Sequence, residues 1–247
     1  MRRQQAMLLL VLICISFVTA CGRVSREIVL EPVQMGTKTK ARADRTGACF
    51  GLDRTPILPT ALIREPGQIG VGHENTFLPG ADPVPCNHRR NYSHQAAVLF
   101  DLSELTRLDA IVTEAVLETR SRLSFFTEGV SNICRMRLER ATEAWANGDF
   151  AAPINASDPR AEIQTQPLPV PSDTRLTSFR VDGEGIARAV VTGTVQRWHG
   201  QAAPRIENHG FVFMPQAQYI FTDSTVRCGF VLSDMRLRVN VLVEPRP

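Results

Sequence analysis

Two polar segments carry the side chains best suited to binding a ligand. The first is the loop-like stretch from Asp82 to His94, DPVPCNHRRNYSH, and the second runs from His199 to His209. Amide, imidazole, guanidinium and phenol groups all form hydrogen bonds, so these segments are suited to a polar ligand such as a sugar. The candidate ligand-binding residues are Asn87, His88, Arg89, Arg90, Tyr92, His94, His199, Asn208 and His209. A histidine at the end of a short helix explains His199 equally well.

The histidine spacing does not favour a metal. His88 and His94 lie six residues apart, and neither a third histidine nor a carboxylate is close to them in sequence, whereas zinc needs three or four protein ligands. The DGEG turn at 182–185 lacks the regular acidic spacing of an EF-hand. We therefore predict no metal and no other cofactor, with calcium at this turn as the alternative.

No catalytic motif is present in the sequence. GxSxG, HExxH and the phosphate-binding loop are all missing. A glycosidase needs two carboxyl groups about 5–10 Å apart, and sequence alone does not fix that separation. We predict a protein that is not an enzyme. A glycan-cleaving enzyme is a third hypothesis, beside the two binding roles given at the end of this section. The candidate acids would be Asp101, Glu114, Glu118, Glu139 and Glu143.

Residues 1–20 are organised like a bacterial lipoprotein signal. Arg2 and Arg3 precede an apolar run from Met7 to Val18, a length typical of a signal sequence and short for a membrane span. The run ends in Val-Thr-Ala-Cys at 18–21, which resembles the lipobox whose cysteine is acylated and becomes the mature N-terminus. We predict lipidation of Cys21, which would anchor the chain stably through several acyl chains. Because Gly22 rather than aspartate follows, an outer-membrane site is favoured if the cell has two membranes.

The remaining cysteines favour disulfides. Apart from Cys21 and one cysteine inside the signal, the chain holds an even number, and exported proteins commonly form disulfides. Three pairings are possible, and we favour the one that joins the first two cysteines and the last two. No CxxC motif occurs, which argues against a zinc ribbon or a thiol oxidoreductase. The four residues are Cys49, Cys86, Cys134 and Cys228.

Composition fits one domain with no strong electrostatic preference. The chain has 247 residues, of which 43% are hydrophobic, enough for one sizeable core. The net charge of +3 falls to +1 without Arg2 and Arg3, so we predict no nucleic-acid partner. Residues 21–47 hold little periodic apolar pattern, and we predict a flexible tether followed by one domain at 48–247. Within the tether, Ile28-Val29-Leu30 is predicted to be an apolar patch that could bind a partner, with a first strand as the alternative.

Hydrophobic periodicity predicts strands and one short helix. The sequence from Phe100 to Arg140 alternates in polarity as antiparallel strands do, most clearly at 133–140. Apolar residues at i, i+4 and i+7 predict a helix near 192–199, capped by Thr192 and ended by Gly200, with a buried strand from Gly210 onward. We expect the tryptophans to pack in the core or at its rim, with a sugar platform as the alternative. The core of this motif would be Trp145, Val191, Val195, Trp198 and Phe211.

These motifs, in this order, resemble the DNRLRE, or disaggregatase-related, family of secreted β-sandwich modules. The pattern VTxxVxxW at 191–198 is followed by N-x-G-F at 208–211. Four further stretches resemble strands of the family, namely 97–102, 110–120, 141–145 and 236–243. The resemblance covers roughly residues 70 to 243. It implies an all-β, jelly-roll-like antiparallel sandwich and a carbohydrate-binding role.

We therefore expect a lipid-anchored, non-enzymatic module of the bacterial cell envelope that binds polysaccharide or cell-wall glycan. The alternative is a structural lipoprotein that docks a partner protein in an envelope assembly. The expected partners are the lipid bilayer, through acylated Cys21, and either a glycan or an envelope protein. If the segments 82–94 and 201–209 meet on one concave surface, glycan binding gains support. If they lie at opposite ends of the fold, it loses support.

Overall fold

The computed structural model describes residues 22–45, 67–78, 88–126, 136–145, 154–155, 163–168, 180–181, 185–215 and 226–245. These residues form strands and two short helices. In chain order they are β1 Val24–Leu30, β2 Pro32–Arg45, β3 Ile69–Leu78, β4 His88–Phe100, α1 Ser103–Arg107, β5 Ile111–Phe126, β6 Met136–Ala141, β7 Ile154–Asn155, β8 Thr165–Pro167, β9 Arg180–Val181, β10 Ile186–Val190, α2 Thr192–His199, β11 Phe211–Pro215 and β12 Val226–Val243.

The strands form one curled sheet, antiparallel except where β2 meets β7. The hydrogen-bonded order is β8-β6-β11-β4-β3-β12-β5-β10-β9, with β1 beside β12 and β2 beside β4. The long β12 pairs with β3 through residues 226–232 and with β1 through residues 237–243, while β5 runs along its other edge. The sheet therefore folds into a layer of β1, β12, β5 and β10 and a layer of β2, β4, β11 and β6. The prediction of an all-β fold with a short helix at 192–199 is confirmed.

The core lies between these two layers. Along β12, Leu237 and Val239 are buried while Arg236 and Arg238 face outward, as the two-residue period of a strand requires. In the other layer, buried side chains of β4, β11 and β6 join the same apolar cluster as those of β12. Burial of such side chains is the main favourable term in folding. The largest of them are Phe100, Phe211 and Phe213.

Residues 24–45 do not form the tether that the sequence predicts. β1 pairs with β12 over its whole length and buries Ile28 and Leu30, so the alternative of a first strand is correct. β2 pairs along β4 and buries Thr37 and Thr39. Both hydroxyls are hydrogen-bonded inside the fold, and the Thr37 Oγ1 accepts from the Gly70 N–H at 2.8 Å. Because buried threonines alternate with lysines, this part of β2 has no apolar pattern, and the sequence predicts a tether instead.

The predicted run of strands from Phe100 is interrupted by α1. The Asp101 carboxylate accepts hydrogen bonds from the N–H of Ser103 at 2.9 Å and from its hydroxyl at 2.7 Å, which turns the chain into the helix. Asp109 then adopts φ +47° and directs the chain into β5. Further on, Met136 and Leu138 are buried on one face of β6, as the alternation predicts.

Candidate functional site

The helix α2 and the loop after it pack against the core. Val191, Val195 and Trp198 are buried, and the Trp198 ring lies 4.6 Å from the Phe211 ring, centroid to centroid. Gly200 ends the helix at φ +85°, as predicted. The prediction that Thr192 caps the helix is wrong. Thr192 is the first residue of the helix, and no side chain makes a capping hydrogen bond there.

Instead, Thr192 covers the edge of β5. β10 pairs with β5 only as far as Val116, so the next backbone groups of β5 need other partners. The Ala115 N–H donates to the Thr192 Oγ1 at 2.9 Å, and the Ala115 carbonyl accepts from the Val191 N–H at 2.8 Å. An open strand edge is a template for unwanted pairing, and here side chains of α2 begin to close it.

Two glutamines and His199 complete this cover. The Val112 carbonyl accepts from Gln196 Nε2 at 2.9 Å, and the Val112 N–H donates to Gln201 Oε1 at 2.9 Å. Gln201 Nε2 and His199 Nε2 both donate to the Ala110 carbonyl, the histidine at 3.0 Å. His199, a candidate ligand-binding residue, is therefore bonded to the backbone just before β5.

Asn208 is also used inside the fold. Its side-chain amide donates to the Phe100 carbonyl at 2.8 Å, and its side-chain oxygen accepts from the Gly210 N–H at 3.1 Å. Gly210 adopts φ +89°, and a Cβ there would lie 2.2 Å from the Val98 carbonyl oxygen. Only glycine fits this close approach. Asn208 thus fixes the loop against the end of β4.

Trp145 and His209 meet at the other side of this loop. The indole N–H of Trp145 donates to the His209 carbonyl at 2.7 Å, and the Trp145 carbonyl accepts from Gln34 Nε2 at 2.7 Å. The half-buried indole packs against a small apolar cluster that includes Val212. A tryptophan held in this way is not an open sugar platform. The imidazole of His209 lies closer to the surface, with its Nε2 3.1 Å from a Glu207 carboxylate oxygen.

The described part of the other candidate segment runs from the opposite end of β4 to its middle. Residues 88–94 are strand rather than loop, paired with β2 and β3. β4 has 13 residues, so His88 and Phe100 are about 40 Å apart, and Asn208 contacts the Phe100 end. Of the described residues of the first segment, His94 comes closest to the Phe100 end, about 20 Å away along β4, and its side chain is buried, so the described parts of the two segments do not share one surface. Asn87 and the side chains of His88, Arg89, Arg90 and Tyr92 lie outside the described residues.

His94 belongs to the interior of the fold. Its side chain is only 2% exposed, and its Nδ1 lies 2.8 Å from the Thr39 Oγ1. His73 on β3 is buried as well, and desolvation lowers the pKa of its imidazole below the ordinary value. Both histidines are core residues, and neither is available to a ligand at the surface.

Most of the candidate acids have partners in the fold. Glu118 pairs with Arg188 at 2.8 Å, Glu139 pairs with Arg137 at 2.8 Å, and Asp101 is bonded to Ser103. Hydrogen bonds from Ser103 lower the pKa of Asp101. Among the described residues, no group of three or more His, Cys, Asp or Glu side chains is placed to hold a metal ion.

The predicted disulfides and the calcium turn fall largely outside the described residues. Cys21, Cys49, Cys86 and Cys134 and residues 182–184 all lie there. The backbone of Cys228 is described and pairs with His73 of β3 and Phe126 of β5. The disulfide pairing and the calcium alternative stay predictions.

Within the part of the chain that the structure describes, charged side chains of four neighbouring strands form an ordered surface that the sequence does not predict. We call it the outer face: the outward side chains of the neighbouring strands β1, β12, β5 and β10. A chain of ion pairs crosses all four strands. Arg238 Nη2 lies 2.9 Å from Glu27, Arg238 Nη1 lies 3.6 Å from Glu118, and Glu118 lies 2.8 Å from Arg188 Nε. The hydrogen bond from Arg188, followed by the charge of Arg238, holds the pKa of Glu118 below its ordinary value.

Further pairs continue this pattern along the strands. Arg236 lies 3.4 Å from Glu31, Arg120 lies 3.2 Å from Asp234, and the Asn240 amide donates to Glu114 at 2.8 Å. Three exposed aliphatic residues stand among the charges, Val29 at 45%, Ile111 at 41% and Val190 at 49% of their full exposure. The strand pattern would have revealed the alternation, but not which charges meet across strands.

Comparison with protein-family models, with curated proteins and with solved structures gives no match to this chain. The resemblance to the disaggregatase-related family therefore stays a prediction. In the described part of the chain, none of the helices has the length and apolar character needed to cross a bilayer.

Proposed function

We propose that this protein is a lipid-anchored, non-enzymatic module of the bacterial envelope that docks a partner protein through its outer face. The lipid anchor is the acylated Cys21 predicted from the signal-like N-terminus. The observation that carries the docking role is the chain of ion pairs Glu27–Arg238–Glu118–Arg188, which crosses four strands with exposed valines beside it.

The outer face suits a protein better than a polysaccharide. Sugar binding in clefts relies on concave surfaces and aromatic rings, whereas this face is a sheet surface of charged and aliphatic side chains. Four strands wide, with a β1 of 7 residues and a β10 of 5 residues, it covers about 500 Å², below the ~800 Å² that each partner contributes to an ordinary interface. A surface of this size supports a modest, reversible contact.

The glycan role predicted from the sequence loses its geometric support. Of the first segment expected to form the concave site, the described part, 88–94, runs from the far end of β4 to its middle, whereas Asn208 contacts the Phe100 end. His199 and Asn208 are bonded to backbone carbonyls of Ala110 and Phe100, so a sugar would have to displace these bonds. Removing the partner of a buried carbonyl costs about 1–3 kcal/mol.

The charges of the outer face would select the partner and its orientation. Alternating Arg and Glu side chains favour a surface that carries the opposite sign at each position, and like charges brought together cost several kcal/mol. Because the pairs on the outer face are exposed and satisfied in the free protein, they add little to its own stability. Their arrangement is therefore better suited to recognition than to holding the fold together.

The test is crosslinking in cells with charge-reversed variants. Arg238→Glu places a like charge between Glu27 and Glu118, whereas Arg107→Glu changes an exposed arginine on α1, away from the outer face. We expect a protein partner to be crosslinked to the parent and to Arg107→Glu, and to be lost from Arg238→Glu. Polysaccharide binding on a glycan array, retained by Arg238→Glu and with no crosslinked protein, would replace this proposal with the glycan role.

A further inference from the structure

The distance between the predicted lipid anchor and the folded sheet is very short. β1 begins at Val24, and only Gly22 and Arg23 separate it from Cys21. Three Cα–Cα steps span at most about 11 Å. A flexible tether over residues 21–47 would have allowed a root-mean-square separation of about 28 Å. The sheet therefore starts almost at the position where the lipid would be attached.

β1 is held firmly in the sheet at that position. Val24 pairs with Val243, and the register continues without a break to Leu30 and Leu237. Arg23 lies 3.8 Å from Glu244, which follows the end of β12. The chain leaving Cys21 therefore has no free segment in which the domain could move away from the membrane.

The end of the sheet at Val24 carries four aliphatic side chains, two of them exposed and two half-buried. We call it the anchor rim: Val24 on β1, Leu242 and Val243 on β12, and Ile111 on β5. Ser25 pairs with Leu242, and Leu242 pairs with Ile111, so the rim spans three adjacent strands over about 10 Å. Val24 is 53% exposed and Ile111 is 41% exposed, while the two residues of β12 are half-buried.

We propose that the anchor rim lies in the interfacial layer of the bilayer, with its aliphatic side chains among the lipid headgroups and upper acyl chains. This inference rests on the lipidation of Cys21 in the proposed function. The headgroup region of each leaflet is about 5–8 Å deep, comparable to the reach from Cys21 to Val24. Aliphatic side chains held in this layer are removed from water, which is favourable. The rim is the end of the sheet that the anchor brings close to the bilayer.

The proposal also orients the outer face. The strands β1, β12 and β5 run away from the rim, so the chain of ion pairs begins several residues from the bilayer. Val190 pairs with Val116, five residues along β5 from Ile111 and about 17 Å from the rim. The rim would contact lipid while the ion pairs face the aqueous phase, open to a protein partner.

Two positions on the outer face make a matched pair for the test. Ile111 and Val190 are both aliphatic, and they are 41% and 49% exposed. Tryptophan at either position adds one reporter to the two tryptophans of the parent. The full-length variants Ile111→Trp and Val190→Trp are purified in lipidated form. They are then reconstituted in vesicles of phosphatidylethanolamine and phosphatidylglycerol, with and without bromine on the acyl chains, because bromine quenches nearby indoles.

We expect brominated lipid to remove most of the added emission of Ile111→Trp and little of that of Val190→Trp. Inserting a 20-residue Gly-Ser segment between Gly22 and Arg23, which allows about 25 Å of separation, is expected to abolish the quenching at position 111. Mass spectrometry of the N-terminal peptide reports acylation independently. An acylated protein with equal quenching at both positions overturns the rim contact and leaves the anchor standing. An unmodified Cys21 overturns the anchor and this inference together.

Discussion

The close approach of Gly210 to β4 gives the sharpest test of the fold. Gly210 has φ +89°, and a Cβ there would lie 2.2 Å from the Val98 carbonyl oxygen, 3.0 Å from the carbonyl carbon and 3.2 Å from the Leu99 Cα. All three atoms are backbone, so a side-chain rotation cannot relieve the overlap. The left-handed conformation costs an alanine about 1–2 kcal/mol. A forced backbone shift adds about 1–3 kcal/mol, so Gly210→Ala should destabilise by about 2–5 kcal/mol.

Two other glycines allow the conformational cost to be measured without the backbone overlap. Gly200 has φ +85°, and its Cβ would meet only the Arg205 side chain at 3.6 Å, an ordinary contact. Gly67 has φ +81° and nothing within 4 Å. Gly200→Ala and Gly67→Ala should therefore each cost only the conformational part, about 1–2 kcal/mol.

Urea unfolding followed by tryptophan fluorescence measures all three variants. The midpoint shifts convert to free energies of unfolding if the slopes stay equal. We expect Gly210→Ala to be the least stable by a clear margin. If Gly210→Ala is no less stable than Gly200→Ala, the loop and the β4 backbone separate easily, and the close approach is not what fixes the loop.

Three further outcomes follow from particular contacts. Trp198→Ala removes a buried ring that contacts Phe211 and should lower the free energy of unfolding by about 3–5 kcal/mol in urea titrations. Burial lowers the pKa of His73, so the unfolded chain binds the extra proton, and stability should fall as pH drops below about 6.5, by at most about 1.4 kcal/mol per pH unit. Glu118→Gln, which breaks the exposed pair with Arg188, should cost under about 1 kcal/mol, and the cost should fade in high salt.

Each of these outcomes has its own control. Trp198→Phe keeps an aromatic ring and should retain part of the lost stability. A His73→Gln variant should lose some of the slope below pH 6.5 that the parent shows, and an unchanged slope would assign the acid sensitivity to other groups. For the ion pair, a cost for Glu118→Gln that does not respond to salt would show that packing, rather than charge, is responsible.

The sequence predicts best where structure depends on nearby residues. The helix at Thr192–His199 has the predicted bounds, because an apolar spacing of 3.6 residues and a glycine stop are both local. The buried apolar strand that follows begins at Phe211, one residue after the glycine where it was expected. These elements need no knowledge of their partners to be recognised.

The sequence fails where the partner is distant or the buried residues are polar. Gln196 and Gln201 bond backbone groups at the start of β5 and just before it, 84 to 91 residues away, and nothing near them in the chain marks that role. β2 was missed because its buried positions hold Thr37 and Thr39, whose hydroxyls are satisfied only once β3 and β4 are in place. His94, His199 and Asn208 were misjudged for the same reason, since histidine and asparagine look identical in a sequence whether they bind a ligand or a group of the fold.

The antiparallel pairing of β1 with β12 also sets how the protein responds to tension. Seven consecutive residues of β1, from Val24 to Leu30, pair with β12 without a register shift. A force applied at Val24 along the strand direction, with the rest of the domain held, loads all the hydrogen bonds between β1 and β12 at once, in shear. These hydrogen bonds then break together, whereas a force applied across the strand would break them one after another. An anchor attached at the Val24 end would therefore load the domain in the direction in which this pairing resists best.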